Sequence, residues 1–195
     1  DKVAIFSPHY EAYPVDTHLF VAVPVYIQLH LPDLMVDPDE LRRVFQQGVK
    51  ALVLCNPANP SGKVFNKAEL EIIASLAQEF DVIVLADEIY EHIVYPPYHH
   101  TYLSSIPGMF ERTVSCSSLS KTYAVTGWRV GYAIAPPHIS EAIRKVHDFL
   151  TVSAPTPLQE AAVTALEFPS AYYEELQSEY QRKRDILQGY LEPIG

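Results

Sequence analysis

Cysteine is the first scarcity. The chain has two, Cys55 and Cys116, and neither has a metal-ligand spacing to a partner, which argues against both a disulfide scaffold and a metal site. Each closes an apolar run and reads as a buried free thiol in a reducing compartment. Basic residues are also few: 14 Lys and Arg against 24 Asp and Glu give a formal charge of −10. That balance argues against a nucleic-acid-binding surface, though not against a local basic pocket. Missing as well is any run of about 18 apolar residues, so no membrane span is expected. Asp1 to Phe6 reads as a strand under way rather than as a secretory leader, and a cytoplasmic location is expected. There is no internal repeat and no low-complexity tract.

What is present suits a folded α/β chain. With 195 residues and 48% hydrophobic content, it amounts to one large domain or a domain plus a piece. The 16 prolines are expected between elements. Val3–Phe6 reads as a strand, followed by the turn Ser7-Pro8-His9-Tyr10. Phe20–Val23 and Val25–Ile27 are further strand candidates, and Pro24 between them points to a sheet edge. Asp37 caps a helix with Pro38 at its first position and acids in its first turn. Ala51–Cys55 and Val82–Ala86 are uninterrupted apolar runs of strand length, as in parallel strands buried on both faces. Between them Asn66-Lys67-Ala68-Glu69 is a capping box opening a helix to about Phe80. Strand, helix and strand at this spacing make a right-handed βαβ unit. Further helices are expected over 139–150, over 158–168 and from Pro169 onward, and a strand over 130–135. The adjacent pair His99 and His100 lacks a third ligand at suitable spacing and reads as surface.

Three stretches carry chemistry. The first strand run ends in Asn56-Pro57-Ala58-Asn59-Pro60-Ser61-Gly62, a stiff turn at the carboxyl end of a strand, where open α/β sheets bind ligands. The second ends in Asp87, with Tyr90 about one helical turn on. A carboxylate just past a buried strand is costly to leave unpaired; an ordinary helix cap is the bland explanation, and a cationic heterocycle nitrogen the chemical one. The third is Ser117-Ser118-Leu119-Ser120-Lys121 with Gly127-Trp128-Arg129-Val130-Gly131 behind it. Lysine is the side chain that condenses with a carbonyl cofactor. The hydroxyls of Ser118 and Ser120 can donate to a phosphate, Arg129 can clamp it with two parallel bonds, and the glycines permit close approach of the backbone to a ligand. A lysine alone in such a loop is ordinarily a solvated side chain; it is the company of the other two stretches that points to chemistry.

Taken together, Asn-Pro-x-Asn-Pro-x-Gly (56–62), Ala-Asp-Glu-Ile-Tyr (86–90), Ser-x-Ser-Lys (118–121) and Thr-Gly-Trp-Arg-x-Gly (126–131) resemble the class I/II aminotransferases, fold-type-I enzymes dependent on pyridoxal 5'-phosphate. The run from Val146 to Leu158 looks most like the kynurenine/glutamine and methionine aminotransferase branch. The resemblance implies a mostly parallel sheet flanked by helices. Residues 1–150 would form the cofactor-binding large-domain core, and 151–195 would lead towards a small C-terminal domain. It implies that Lys121 is the catalytic Schiff-base lysine and the base for the proton shift. Asp87 would pair with the pyridine nitrogen, while Tyr90 and Asn59 would hydrogen-bond the phenolic oxygen. Tyr10 would stack on the ring, and Ser118 and Arg129 would hold the phosphate. No metal is implied. The substrates would be an amino acid and a 2-oxo acid, and the full-length form a homodimer.

Family chains are about twice this length. They begin with an arm and a glycine-rich phosphate loop, and they carry the substrate-carboxylate arginine in the small domain. The resemblance covers all of this sequence but only the middle of the family's, so a central fragment is expected. Two other enzyme classes share the fold, lyases and synthases acting on amino acids, since the cofactor does the chemistry and the site selects the bond. A regulator using such a domain as a ligand sensor is a further alternative; it would need a DNA-binding module.

Overall fold

The computed structural model describes residues 1–194. Six strands form one sheet: β1 (Lys2–Ser7), β2 (Val23–Gln28), β3 (Val49–Cys55), β4 (Ile83–Asp87), β5 (Thr113–Ser118) and β6 (Gly131–Ile134). Their order is β2-β1-β3-β4-β5-β6. The first five pair in parallel, and β6 runs antiparallel to β5. This is the α/β, mostly parallel architecture that the sequence leads one to expect. Seven α-helices are described: α1 (Ala12–Leu19), α2 (Pro38–Phe45), α3 (Lys67–Glu79), α4 (Leu119–Thr122), α5 (Pro137–Thr151), α6 (Thr156–Leu166) and α7 (Ser170–Leu191).

The local signals explain where α2 and α3 start. Asp37 accepts from the Asp39 N–H ahead of Pro38, and Asn66 and Glu69 close a reciprocal capping box, each satisfying donors that a helix N-terminus leaves orphaned. The connections through α2 and α3 both move the chain the same way across the sheet, so right-handed crossovers put both helices on one face. There Leu41, Phe45, Leu70, Ile73 and Ala77 pack on Phe6, Leu52, Leu54 and Val84 to form the core. The connection from β1 to β2 moves the opposite way and puts α1 on the other face. Strand order thus reverses between β1 and β3, the position beside which open α/β sheets bind ligands at their carboxyl ends.

Several expectations are corrected. Phe20 to Ala22 is not strand: α1 and a turn precede β2, and Phe20 and Val21 are exposed. Pro14 disguised the helix, but it lies in the first turn, where its missing N–H costs nothing. Pro14 and Pro24 therefore sit inside elements, the latter on edge strand β2, which among the described residues pairs only with β1. The strands are not buried on both faces. In β4, Val84 and Ala86 are shielded while Ile83 and Leu85 are each 38% exposed, because α1, which borders a groove on that face with Val53 and Leu85, leaves β4 open. Asp87 is the last residue of β4, and Tyr90 lies in a turn rather than on a helix. Cys55 is buried and Cys116 only half-buried. His100 is not a surface residue: its ring is buried with Nε2 3.5 Å from the Glu88 carboxylate.

Candidate active site

The carboxyl ends of β1, β3, β4 and β5 converge on a cavity of about 410 Å³, within the range of about 300–1,000 Å³ usual for small-ligand sites. Its walls include all seven residues singled out from sequence: Tyr10, Asn59, Asp87, Tyr90, Ser118, Lys121 and Arg129. Ser120, the other hydroxyl noted in the lysine loop, also lines it, and the structure adds Tyr13, Cys55, Ile89 and Thr126.

Asp87 is held from two sides. Its Oδ2 accepts from the Tyr13 hydroxyl at 2.6 Å and its Oδ1 from the Ile89 N–H at 3.2 Å. Tyr13 was not legible as a site residue because the helix carrying it was not; in retrospect Tyr10 and Tyr13 stand one helical turn apart, their rings edge to face at 5.6 Å. Burial, and then the neighbouring Cys55 and Asp87, hold the Tyr13 phenol far above its ordinary value, so it stays a donor to Asp87. Burial followed by the same two neighbours raises Tyr90. Burial and Asp87 push the Cys55 thiol up to about 11, which leaves it a packing group rather than a nucleophile at neutral pH.

Asn59 is carried by the turn after β3. That turn is stitched by Ala58 N–H donating to Lys63 O and Gly62 N–H to Ala58 O, both at 2.8 Å. Gly62 has φ +70°, where only glycine is unstrained. Asn56 locks the turn to the sheet, its N–H donating to Asp87 O at 2.9 Å and its side-chain Oδ1 accepting from Phe65 N–H at 3.1 Å.

Lys121 sits on α4, one short turn after β5. Ser118 caps that turn, its Oγ accepting from Ser120 N–H at 3.1 Å, which leaves the Ser118 hydroxyl hydrogen available to donate. Thr126 Oγ1 donates to Ser120 O at 2.9 Å. Arg129 lies in the left-handed region at φ 54°, a conformation costly for a side-chain-bearing residue. One of its nitrogens donates to Thr126 O at 2.9 Å; among the described residues the other guanidinium donors make no further hydrogen bond and could serve a ligand. Gly131 has a different purpose from the one expected. A Cβ there would come within 2.9 Å of Ser117 O and 3.1 Å of Ser118 Cβ, so the glycine admits β6 against β5 rather than backbone against a ligand.

A second groove, of about 480 Å³, lies on the open sheet face beside Asp87 and is lined by Val3, Phe20, Val53 and Leu85. It lacks the lysine and the arginine, so the chemistry belongs to the first cavity. Among the described residues no cluster of His, Cys, Asp and Glu could hold a metal ion, and no helix is long and apolar enough to cross a membrane.

Known proteins match this arrangement along the whole chain. The family model described as aminotransferase class I and II matches residues 1–195. Human kynurenine–oxoglutarate transaminase 3 is 35% identical over 212 residues, covering 100% of this chain and 47% of that relative. The kynurenine–oxoglutarate transaminase of Dictyostelium discoideum is 40% identical over 164 residues, covering 82% of this chain and 38% of the relative. Among solved structures, N-succinyldiaminopimelate aminotransferase from Mycobacterium tuberculosis superposes with a TM-score of 0.97 at 31% identity, covering 100% of this chain and 51% of that one. Escherichia coli YbdL, for which a methionine aminotransferase function is identified, gives 0.93 at 35% identity, covering 98% and 51% respectively. The chain thus spans about half the length of the relatives it matches. Shared fold and similarity along the whole of this chain lead to one conclusion: the chain belongs to the class I and II aminotransferase family.

Proposed function

We propose that this chain carries the cofactor-binding core of a transaminase that moves an amino group between an amino acid and a 2-oxo acid, acting in the cytoplasm as a homodimer. The observation that carries the reading is the sharing of one cavity by Lys121, Asp87 and Arg129, contributed by three separate segments. Class I and II aminotransferases depend on pyridoxal 5'-phosphate, and the donor set fits that molecule. A carboxylate held by Tyr13 suits a ring nitrogen, a free hydroxyl and a guanidinium suit a phosphate, and an amine suits an aldehyde. When bound, the cofactor supplies an electron sink for charge developing on the substrate carbon.

The protein's part is binding, orientation and proton handling. Asp87 would hold the proton on the ring nitrogen, and the Tyr13 hydroxyl fixes the direction of the Asp87 carboxylate. Asn59 and Tyr90 would hold the phenolic oxygen, and Tyr10 would pack against the ring. Ser118 and Arg129 would hold the phosphate. Lys121 Nζ would be the base that moves a proton between the substrate carbon and the cofactor. Residues 1–150 carry this machinery, and 151–195 lead towards a small domain. Apolar side chains exposed on the sheet and on α5 support a partner surface of the kind a homodimer uses.

Borohydride trapping tests the lysine. The full-length protein should retain one cofactor on the peptide containing Lys121, and Lys121→Ala should retain none there. Turnover in the alanine variant should fall by about 10²–10⁴-fold, the usual worth of a positioned general base. Trapping on another lysine in the parent would overturn the assignment. Asp87→Asn should lower kcat far more than it weakens cofactor binding, because charge on the ring develops in the transition state. Unchanged kcat would remove Asp87 from its role.

A further inference from the structure

One buried carboxylate is not used by the site as described. Glu91, 9% exposed, lies in the turn one residue after Tyr90, and three hydroxyls point at it. Its Oε1 accepts from Ser117 Oγ at 2.6 Å and from the Tyr132 hydroxyl at 3.2 Å, and its Oε2 accepts from the Tyr102 hydroxyl at 2.6 Å. The His92 ring nitrogen lies 3.9 Å from Oε1. A buried carboxylate with this many donors is fully engaged, and hydrogen bonds to a charged acceptor are the strong ones. Burial, then Glu91 itself, raises the Tyr102 phenol well above its ordinary range, so that hydroxyl remains a donor.

The placement of the donors gives the network a purpose. Ser117 and Tyr132 are directly opposite each other in the antiparallel β5–β6 pair, and the next pair along is Ser118 with Gly131. Side chains alternate across a strand, so Ser117 and Tyr132 leave the sheet on the side opposite to Ser118. Glu91, Ser117 and Tyr132 each adjoin a cavity residue: Tyr90, Ser118 and Gly131. A single carboxylate therefore ties together, from behind, the three backbone segments that form this side of the cavity wall. The fit there is tight, since β6 can lie against Ser117 and Ser118 only because residue 131 lacks a side chain.

We propose that Glu91 is a positioning residue for the phosphate-binding edge of the cavity, acting through Ser117 and Tyr132 to set the place of the Ser118 hydroxyl. The inference rests on the phosphate role given above to Ser118 and Arg129. Glutamine at position 91 keeps the shape but leaves only one acceptor oxygen, so the donors facing the amide nitrogen lose their acceptor.

The test compares equilibrium binding of pyridoxal 5'-phosphate and of phosphate-free pyridoxal to the full-length protein, since only the first uses the edge that Glu91 braces. In Glu91→Gln, affinity for the phosphate form should fall about tenfold, the scale of one charge-assisted hydrogen bond. Affinity for pyridoxal should stay within about twofold. Ser117→Ala, outside the cavity, should move the ratio in the same direction and carries the test if the glutamine variant does not fold. Glu69→Gln is the control. It removes a buried carboxylate that pairs with Lys63 at 2.8 Å and caps α3, so it weakens the fold while leaving the binding ratio at the parent value. A ratio unchanged in both Glu91→Gln and Ser117→Ala, or lowered equally by Glu69→Gln, overturns the brace. A parent protein with no preference for the phosphate form overturns the phosphate assignment itself, and the brace with it.

Discussion

The two helical regions of this molecule obey the same sequence rules and meet opposite fates. Helices α2 and α3 carry apolar residues at helical spacing and bury them: Leu41, Leu70, Ile73 and Ala77 are fully inaccessible. Helix α5 carries Ile143, Val146 and Phe149 at the same kind of spacing, yet none of its residues is buried and Phe149 is 91% exposed. The difference lies in what each helix meets. Right-handed crossovers press α2 and α3 onto the sheet, whereas α5 to α7 follow the antiparallel strand β6; of these, α6 packs Leu158, Ala162 and Ala165 with Leu119 and Val130, and α7 meets the lysine segment through a second small cluster. That second cluster is aromatic. Tyr123, two residues after Lys121, stacks on Tyr172 with ring centroids 5.6 Å apart and exchanges a 2.7 Å hydrogen bond with Tyr173. Tyr172 in turn donates to Thr122 O at 2.8 Å. An apolar stripe thus says that a helix has something to cover, not that the cover is present in the same segment.

The comparison can be broken most directly by large-to-small changes in each region. Leu70→Ala or Ile73→Ala should cost about 2–5 kcal/mol of unfolding free energy, the range for emptying a packed core site. Phe149→Ala should stay within about 0.5 kcal/mol in this chain, as for exposed positions away from special features. Chemical denaturation checks both, and a loss at Phe149 matching that at Leu70 would mean that α5 is covered after all. A smaller effect is expected at the aromatic contact. Tyr172→Phe removes a hydrogen bond to the carbonyl of Thr122 and should cost about 1 kcal/mol. It should also loosen α4, seen as faster amide exchange at Tyr123, whose N–H donates to Leu119 O; unchanged exchange there would separate α7 from the lysine segment.

The smallest effect is one of pH. Burial holds the His92 imidazole below its ordinary value of 6.5, outweighing the opposing pull of Glu91. The folded chain therefore binds this proton less readily than the unfolded chain, so stability rises with pH across this range and is lost as pH falls below 6.5. His92→Gln should flatten part of the decline in denaturation midpoint between about pH 7 and pH 5. An identical decline in the variant would place the titrating group elsewhere. His92 also packs on Tyr173 with ring centroids 4.4 Å apart, so this titration reports on the contact between α7 and the turn after β4.

Much of the fold could be read without coordinates because its signals are local. The Asp37 and Asn66 caps, the apolar runs that became β3 and β4, and the edge position implied by Pro24 depend on neighbours within a few residues. So do the motifs around Asn59, Asp87, Ser118, Lys121 and Arg129, whose order along the chain already suggests one cavity at the ends of parallel strands. Helix α1 was hidden by Pro14 and by apolar residues that read as strand, and with it went Tyr13.

The sequence alone therefore determined most element types, α1 excepted, the parallel connection of β3 to β4, and seven of the residues expected at the site. Only the tertiary structure decided which sheet face is covered, that Tyr13 holds Asp87, that His100 is buried against Glu88, and that Gly131 is needed for β6 to lie against β5. It also decided that Glu91 gathers Ser117, Tyr132 and Tyr102 from positions up to 41 residues away. The physical reason is the range of the interactions. A cap or a turn is settled by atoms a few bonds apart, whereas the partner of a buried carboxylate, or the layer over a sheet, depends on segments that meet only once the chain has folded.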